Sequence, residues 1–151
     1  MRNVILFALF LLAACKQASP EEMQLLSKIH KDLTGVWIVT HAEVIEVPEK
    51  FLNNPTLKQC EVMASQYEYK FGNNNQFARY VPGRADSITQ MHGYYNVDSA
   101  KKQIDWYCQF GPSYPIDTVR FNYVTVNPYK IVMIEGNGVY NILTILKRKA
   151  R

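Results

Sequence analysis

The sequence has few of the residues that build metal centres or covalent active sites. Only three histidines and three cysteines occur among its 151 residues. No two histidines have the short helical spacing of a zinc site, and no Cys-x-x-Cys pair is present. The chain also lacks a Gly-x-Ser-x-Gly nucleophile motif and a glycine-rich loop that opens a helix and binds phosphate. These absences argue against an enzyme, so we predict no catalytic residue, no metal ion and no cofactor.

The chain also has little excess charge. Its net charge of +4 comes from 17 basic and 13 acidic residues spread along the sequence, which does not form the basic footprint of a nucleic-acid-binding protein. A length of 151 residues is typical of one domain. The content of 48% hydrophobic and 13% aromatic residues, with 10 tyrosines, is too high for a disordered chain. We therefore predict one globular domain and no nucleic-acid partner.

Long apolar runs are missing except near the N-terminus. A short positively charged start precedes eleven apolar residues, 4–14. This run is too short to span a bilayer, for which about 20 apolar residues are needed, and it matches the hydrophobic region of a signal peptide. The run ends in Leu12-Ala13-Ala14-Cys15, which resembles the lipobox of bacterial lipoproteins. In that motif the cysteine sulfur receives a diacylglycerol and becomes the new N-terminus after cleavage.

The resemblance to a lipobox implies a protein anchored to a membrane through acyl chains on Cys15. Lys16 follows where inner-membrane lipoproteins typically carry aspartate. In a Gram-negative host the resemblance therefore implies the outer membrane, at its periplasmic face. An ordinary secretory signal with a cysteine nearby by chance is the alternative. The predicted segments are a signal peptide over 1–14, a lipidated tether over 15–19 and a folded domain over 20–151.

Cleavage and acylation would leave two cysteines, Cys60 and Cys108. An even pair in an oxidising compartment predicts a disulfide bond between them. Closing a loop of this length would stabilise the fold by roughly 4 kcal/mol. Two buried free thiols are the alternative, because a sequence does not show whether the Cβ atoms meet.

The hydrophobic pattern predicts one short helix followed by an all-β domain. Ser19, Pro20 and Glu22 form a helix start, and apolar residues recur at helical spacing over 20–31. After Gly35 the period becomes two, with turn residues every ten to fourteen positions. We predict an eight-stranded antiparallel up-and-down barrel, because closure removes both exposed edges, with an open sandwich as the alternative. The predicted strands are 36–47, 60–71, 76–81, 88–97, 103–110, 118–126, 129–135 and 139–147, with a polar loop over 49–59.

Three short motifs resemble the lipocalins and lipocalin-like domains. The helical start followed by Leu33-Thr34-Gly35-Val36-Trp37 is similar to the Gly-x-Trp signature at the entrance of that family's first strand. Gly93-Tyr94-Tyr95-Asn96-Val97-Asp98 resembles a Gly-x-Tyr strand and turn of small bacterial members, and Leu146-Lys147-Arg148 looks like the basic end of the last strand. The resemblance implies a barrel whose closed end is plugged at Gly35 and Trp37, with Arg148 packed on the tryptophan. The Thr-Asp-Tyr motif of the family is absent.

Several polar and aromatic side chains are candidates for ligand binding. His41 and Glu43 share the strand face of Trp37, which in a barrel would point them inward above the plug as a polar pair for a ligand's head; the other interpretation is that they are solvated at the barrel mouth or simply satisfy each other. His92 and Tyr94 share another strand face, and the same two readings apply to them. Tyrosine suits a wet pocket or a protein interface, although it also suits half-exposed strands. The candidates are His41, Glu43, Tyr67, Tyr69, His92, Tyr94 and Tyr107.

Together these features predict a non-enzymatic outer-membrane lipoprotein that binds a small amphipathic ligand or an envelope component in a lipocalin-like barrel. The alternative is a protein-binding lipoprotein that acts as an enzyme inhibitor, an immunity protein or an accessory of an envelope machine. In that case a long loop such as 47–59 or 111–117 would contact the partner.

Overall fold

A computed structural model describes residues 19–83, 91–109, 116–136 and 138–150, and these residues form a closed antiparallel barrel. Each of its eight strands pairs with the next one in the chain, and the last pairs with the first. The predicted up-and-down barrel is therefore confirmed, and an open sandwich is excluded. The strands are β1 (Gly35–Ile45), β2 (Glu68–Phe71), β3 (Gln76–Tyr80), β4 (Met91–Asp98), β5 (Gln103–Gln109), β6 (Ile116–Val126), β7 (Lys130–Gly136) and β8 (Asn141–Arg148).

The predicted N-terminal helix is present as α1 (Pro20–Leu33). Its start is a capping box, in which the Ser19 hydroxyl accepts from the Glu22 N–H at 3.1 Å and the Ser19 N–H donates to the Glu22 carboxylate at 2.8 Å. The helix buries Ile29 and Leu33 against the barrel core. Because it leads directly into β1, α1 covers the barrel end at which that strand begins.

A second helix, α2 (Pro55–Ser65), replaces the second half of the predicted loop over 49–59 and the first half of the predicted strand over 60–71, and the first half of that loop contains a 3-10 turn, Glu49–Phe51. Asn54 caps it by accepting from the Thr56 N–H at 3.0 Å. β2 is consequently only four residues long and pairs with β1 over just the first part of that strand. The helix packs against β1, where Glu61 accepts from the Val44 N–H at 3.0 Å. It thereby supplies a hydrogen bond to a stretch of β1 that β2 does not reach.

The predicted disulfide is absent, because both cysteines are free. Cys60 lies on α2, where its sulfur is 3.0 Å from the Tyr140 hydroxyl oxygen. Cys108 is fully buried and faces the barrel interior, as the alternation of β5 requires. The position of α2, which the sequence analysis did not predict, thus places the Cys60 sulfur outside the barrel wall, whereas the Cys108 sulfur lies inside it.

The closed end of the barrel is built around Trp37, which is fully buried. Its indole N–H donates to the Leu33 carbonyl at 2.7 Å, so α1 and β1 meet at this ring. The Arg148 guanidinium lies 4.5 Å from the ring centroid. Arg148 also donates to the backbone carbonyl of Asp32 at 2.6 Å and to that of Thr34. The end of β8 is thereby joined to the end of α1.

Aromatic side chains fill the middle of the barrel around Trp106. This residue is fully buried, and its ring centroid lies between 3.9 and 6.0 Å from those of four other aromatic residues: Phe121, Phe77, Tyr69 and Phe71.

None of the helices within the described residues is long and apolar enough to cross a membrane.

Candidate ligand site inside the barrel

A β-bulge in β1 moves two predicted ligand-binding residues to the outside of the barrel. The register of β1 on β8 shifts between Val39, which lies opposite Leu146, and His41, which lies opposite Ile145. One extra residue, Thr40, therefore reverses the inward and outward alternation beyond this point. His41 and Glu43 are 51% and 54% exposed, and their side chains lie 3.3 Å apart. The interpretation that this pair faces the interior is wrong, and the structure has the other one, a solvated pair whose two side chains contact each other.

The bulge brings smaller apolar side chains to the interior instead. Ala42 pairs with Thr144, which is buried, and Val44 pairs with Ile142. On β1 and β8 the interior face beyond the bulge is therefore lined by small and branched side chains rather than by His41 and Glu43.

Three further candidates also lie on the outer wall. Tyr94 and Tyr107 are direct partners on β4 and β5, and they are 60% and 42% exposed. His92 is exposed two residues earlier on the same face of β4. Their inward neighbours on the two strands are Gly93 and Cys108. These candidates therefore do not contribute to an interior site.

The remaining candidates, Tyr67 and Tyr69, contact an interior polar cluster centred on Arg79. Arg79 is on β3, where it is the direct partner of Tyr69 on β2, and its guanidinium lies 4.7 Å from the ring centroid of Tyr67. Its Nη1 is 3.5 Å from a carboxylate oxygen of Glu135, on β7. Since β3 and β7 are not neighbours, this ion pair crosses the barrel interior. The side chains of Arg79 and Glu135 are only 14% and 26% exposed.

Burial sets the protonation states in this cluster. It raises the pKa of Tyr69 to about 12, so the phenol keeps its proton. It also raises the pKa of Glu135, against the opposing effect of the Arg79 charge. Burial alone would lower the pKa of Arg79, but the nearby acidic groups of Tyr69 and Glu135 outweigh it and the net pKa is raised. The site therefore contains a permanent cation, a neutral hydroxyl and a carboxyl group that ionises less readily than one in water.

Two buried N–H donors at this site have no hydrogen-bond partner in the part of the chain that the structure describes. They are Nε of Arg79 and Nε1 of Trp106. Both residues lie next to Tyr69: its ring centroid is 5.5 Å from that of Trp106, and Arg79 is its direct partner on β3. An unsatisfied buried donor costs about 1–3 kcal/mol. The interior is therefore equipped to donate hydrogen bonds to an acceptor that is not part of the described chain.

The sequence analysis did not predict Arg79, Glu135 and Trp106 as site residues, although the alternation of side chains along each strand places them on the inward face. Arg79 follows Phe77 by two residues, and Glu135 follows Met133 by two. Because side chains two residues apart in a strand point to the same side, each charged residue lies on the same strand face as its apolar neighbour.

Within residues 19–83, 91–109, 116–136 and 138–150, no three histidine, cysteine, aspartate or glutamate side chains come together as metal ligands would.

Comparisons of this chain with protein-family models, curated proteins and solved structures find no match.

Proposed function

We propose that this protein is a non-enzymatic, lipocalin-like binding protein, anchored to the outer membrane through a lipid on Cys15, that holds a small amphipathic ligand in its barrel. The lipobox-like sequence supports the anchor, and the closed eight-stranded barrel supports the binding role. A barrel of eight strands has an interior just wide enough for side chains or one small ligand.

The pair of unpartnered donors on Arg79 and Trp106 is the observation that carries the ligand proposal. An oxygen of a bound carboxylate or carbonyl group would supply the acceptor that the Arg79 Nε–H lacks, next to Tyr69 on the neighbouring strand. The Arg79 guanidinium favours a carboxylate, because a charge-assisted hydrogen bond is stronger than one to a neutral carbonyl group. Met91, the partner of Arg79 on β4, offers apolar surface to the rest of the ligand.

A fluorescent probe tests this proposal directly. We would titrate the full chain with a dansylated long-chain fatty acid and with its methyl ester, using energy transfer from tryptophan as the signal. The acid should bind more tightly than the ester, and Arg79→Met should remove most of that preference. Losing a charge-assisted hydrogen bond of about 1.5–3 kcal/mol corresponds to a loss of roughly tenfold or more in affinity for the acid.

The matched control is Arg120→Met, because Arg120 lies on the outer wall of β6 and pairs with Asp105 at 2.8 Å. This variant loses the same charge without altering the interior. If wild type binds neither probe, or if both arginine variants bind the acid equally well, Arg79 does not bind a carboxylate inside the barrel and the ligand proposal is wrong.

A protein partner is the second candidate function, and the exposed tyrosine pair on the outer wall favours it. Tyr94 and Tyr107 lie side by side, and Ile116 at the start of β6 is 71% exposed on the same face. Aromatic side chains of this kind are enriched at protein interfaces. A single envelope protein retained by wild type and by Tyr129→Ser, but lost from the Tyr94→Ser/Tyr107→Ser double variant, would support this alternative.

A further inference from the structure

Two lysines face each other at the closed end of the barrel. Lys130 begins β7 and is the direct cross-strand partner of Lys147 on β8. Both are exposed, and neither forms an ion pair within the described residues. Like charges directly opposite each other on antiparallel strands are destabilising. This pair is therefore a cost to the fold that a bound anion would remove.

Two further lysines extend the charge across neighbouring strands. Lys149 follows β8 and donates its backbone N–H to the Val36 carbonyl, while Val36 pairs with Lys70 on β2. One carboxylate lies among them, because Glu68 accepts from the Lys149 ammonium at 2.7 Å. The outer wall of β7, β8, β1 and β2 thus carries four lysines and one acid at the closed end. We name Lys70, Lys130, Lys147 and Lys149 the basic rim.

Negative charge prevails at the opposite end, where β1 stops. The connection from β1 to α2 carries Glu46 and Glu49, and Glu43 is exposed on the last part of β1. Lys50 and Lys58 are the cations nearby in the chain, and Lys58 is paired with Glu61 at 2.9 Å. The wall formed by β7, β8, β1 and β2 is therefore electrically polarised along the barrel axis, with the basic rim at the end covered by α1.

Three features show what kind of surface would meet the basic rim. Tyr129 precedes Lys130 at the tip of the β6–β7 turn and is 78% exposed, which suits the interface between water and lipid headgroups. Met23 and Leu25 are exposed on α1. The α1 cap, Ser19, follows Cys15 by four residues, a span of at most about 14 Å. An acyl chain on Cys15 would thus hold α1, and with it the closed end of the barrel, at the bilayer.

We propose that the basic rim binds the anionic headgroups of a phospholipid leaflet, so that the barrel stands on the membrane with its closed end and presents its other end to the aqueous side. The lipid-anchor part of the proposed function supplies the proximity, whereas the electrostatic contact depends on the lysines alone. Because each surface lysine contributes about 1 kcal/mol to binding an anionic membrane, removal of two should weaken binding about 30-fold.

Vesicle co-sedimentation of the full chain tests the proposal without a ligand in the barrel. All variants carry Cys15→Ser, which blocks acylation at that position, and the vesicles are phosphatidylcholine with or without phosphatidylglycerol. We expect a preference for the anionic vesicles of well over 30-fold at about 0.1 M salt, weakening steeply as salt is raised. Lys130→Gln/Lys147→Gln should lose most of this preference and remain at least as stable to heat as the parent.

The control is Lys50→Gln/Lys58→Gln, which removes the same charge from the other end and should retain the preference. Vesicles of phosphatidylcholine alone measure any binding through the N-terminal segment, which all variants share. Equal binding by the two double variants, or no preference for anionic vesicles, would overturn the proposal. Either result would leave the ligand proposal untouched, since fatty-acid binding is measured in solution.

Discussion

Replacement of Arg148 should open the closed end of the barrel and destabilise the whole fold. Its guanidinium donates to three backbone carbonyls, those of Asp32 and Pro128 at 2.6 Å each and that of Thr34, and it lies over the Trp37 ring. Backbone acceptors do not depend on the identity of the residues that carry them. The arginine is therefore the part of this contact that can be removed cleanly by substitution.

The size of the effect follows from those contacts. Two of the three acceptors are partly buried, and losing a charged donor to each costs about 1.5–3 kcal/mol, while the cation–π contact adds roughly 1 kcal/mol. After a discount for partial exposure we expect Arg148→Met to lower the free energy of unfolding by about 3–4 kcal/mol. Arg148→Lys keeps the charge and loses the planar fork, so a loss of about 2 kcal/mol is expected.

Urea denaturation followed by tryptophan fluorescence measures both values. Lys147→Met is the matched control, because Lys147 is the exposed neighbour whose side chain points outward and has no ion-pair partner within the described residues. It should change stability by less than about 0.5 kcal/mol. If Arg148→Met and Lys147→Met are equally stable, Arg148 does not join β8 to α1, and our account of the closed end fails.

Two further predictions concern the barrel interior. A Cβ on Gly93 would lie 1.9 Å from the Tyr107 carbonyl oxygen, so Gly93→Ala should lower the free energy of unfolding by roughly 3 kcal/mol, measured by thermal denaturation. The control is Gly72→Ala, which should lower it far less because the nearest atom to a Cβ there is 3.4 Å away. The folded pKa of Tyr69 is about 12 against 10.0 unfolded, so the native state binds more protons in that window. Stability should therefore fall by about 2 kcal/mol as pH rises from 10 to 12, and Tyr69→Phe should lack this component in urea unfolding measured across the window.

Strand alternation was sufficient to predict most of the barrel wall. In β5 the sequence places Ile104, Trp106 and Cys108 on one face, and all three are fully buried. Short turns between such strands leave few topologies other than a meander, and closure follows from the need to cover edge strands. The first helix was equally readable, because its capping box involves only Ser19 and the residues next to it.

The second helix was missed although its start signal is local. Asn54-Pro55 has the same form as Ser19-Pro20, a capping side chain followed by a proline at the first helical position. The polar composition of the segment favoured a loop, and its apolar stripe is weak because Ala64 is the one residue of α2 that is buried. The helix is stabilised by tertiary contacts such as Glu61 with the Val44 N–H, which no local pattern reveals.

The interior site was missed for a different reason. The alternation of β3 places Arg79 on the inward face. A charged residue is rarely buried unless it is paired, so its charge argues against that placement when the strand is considered alone. Its partner Glu135 lies 56 residues later in the chain. A sequence pattern cannot show that these two side chains meet across a barrel, and that meeting is what makes burial of either one tolerable.

The bulge at Thr40 shows how one residue can reverse the interpretation of a whole strand end, and it can be tested by exchanging the faces. Ala42 lies inside opposite Thr144, whereas His41 is exposed. Ala42→Asp should therefore lower the free energy of unfolding by about 2 kcal/mol or more, because a carboxylate enters the interior without a partner. His41→Asp should change it by less than about 0.5 kcal/mol. If the alternation from Trp37 continued without a bulge, His41→Asp would be the more destabilising of the two substitutions. A larger loss of unfolding free energy for His41→Asp in urea denaturation would therefore mean that β1 has no bulge and that His41 and Glu43 face the interior.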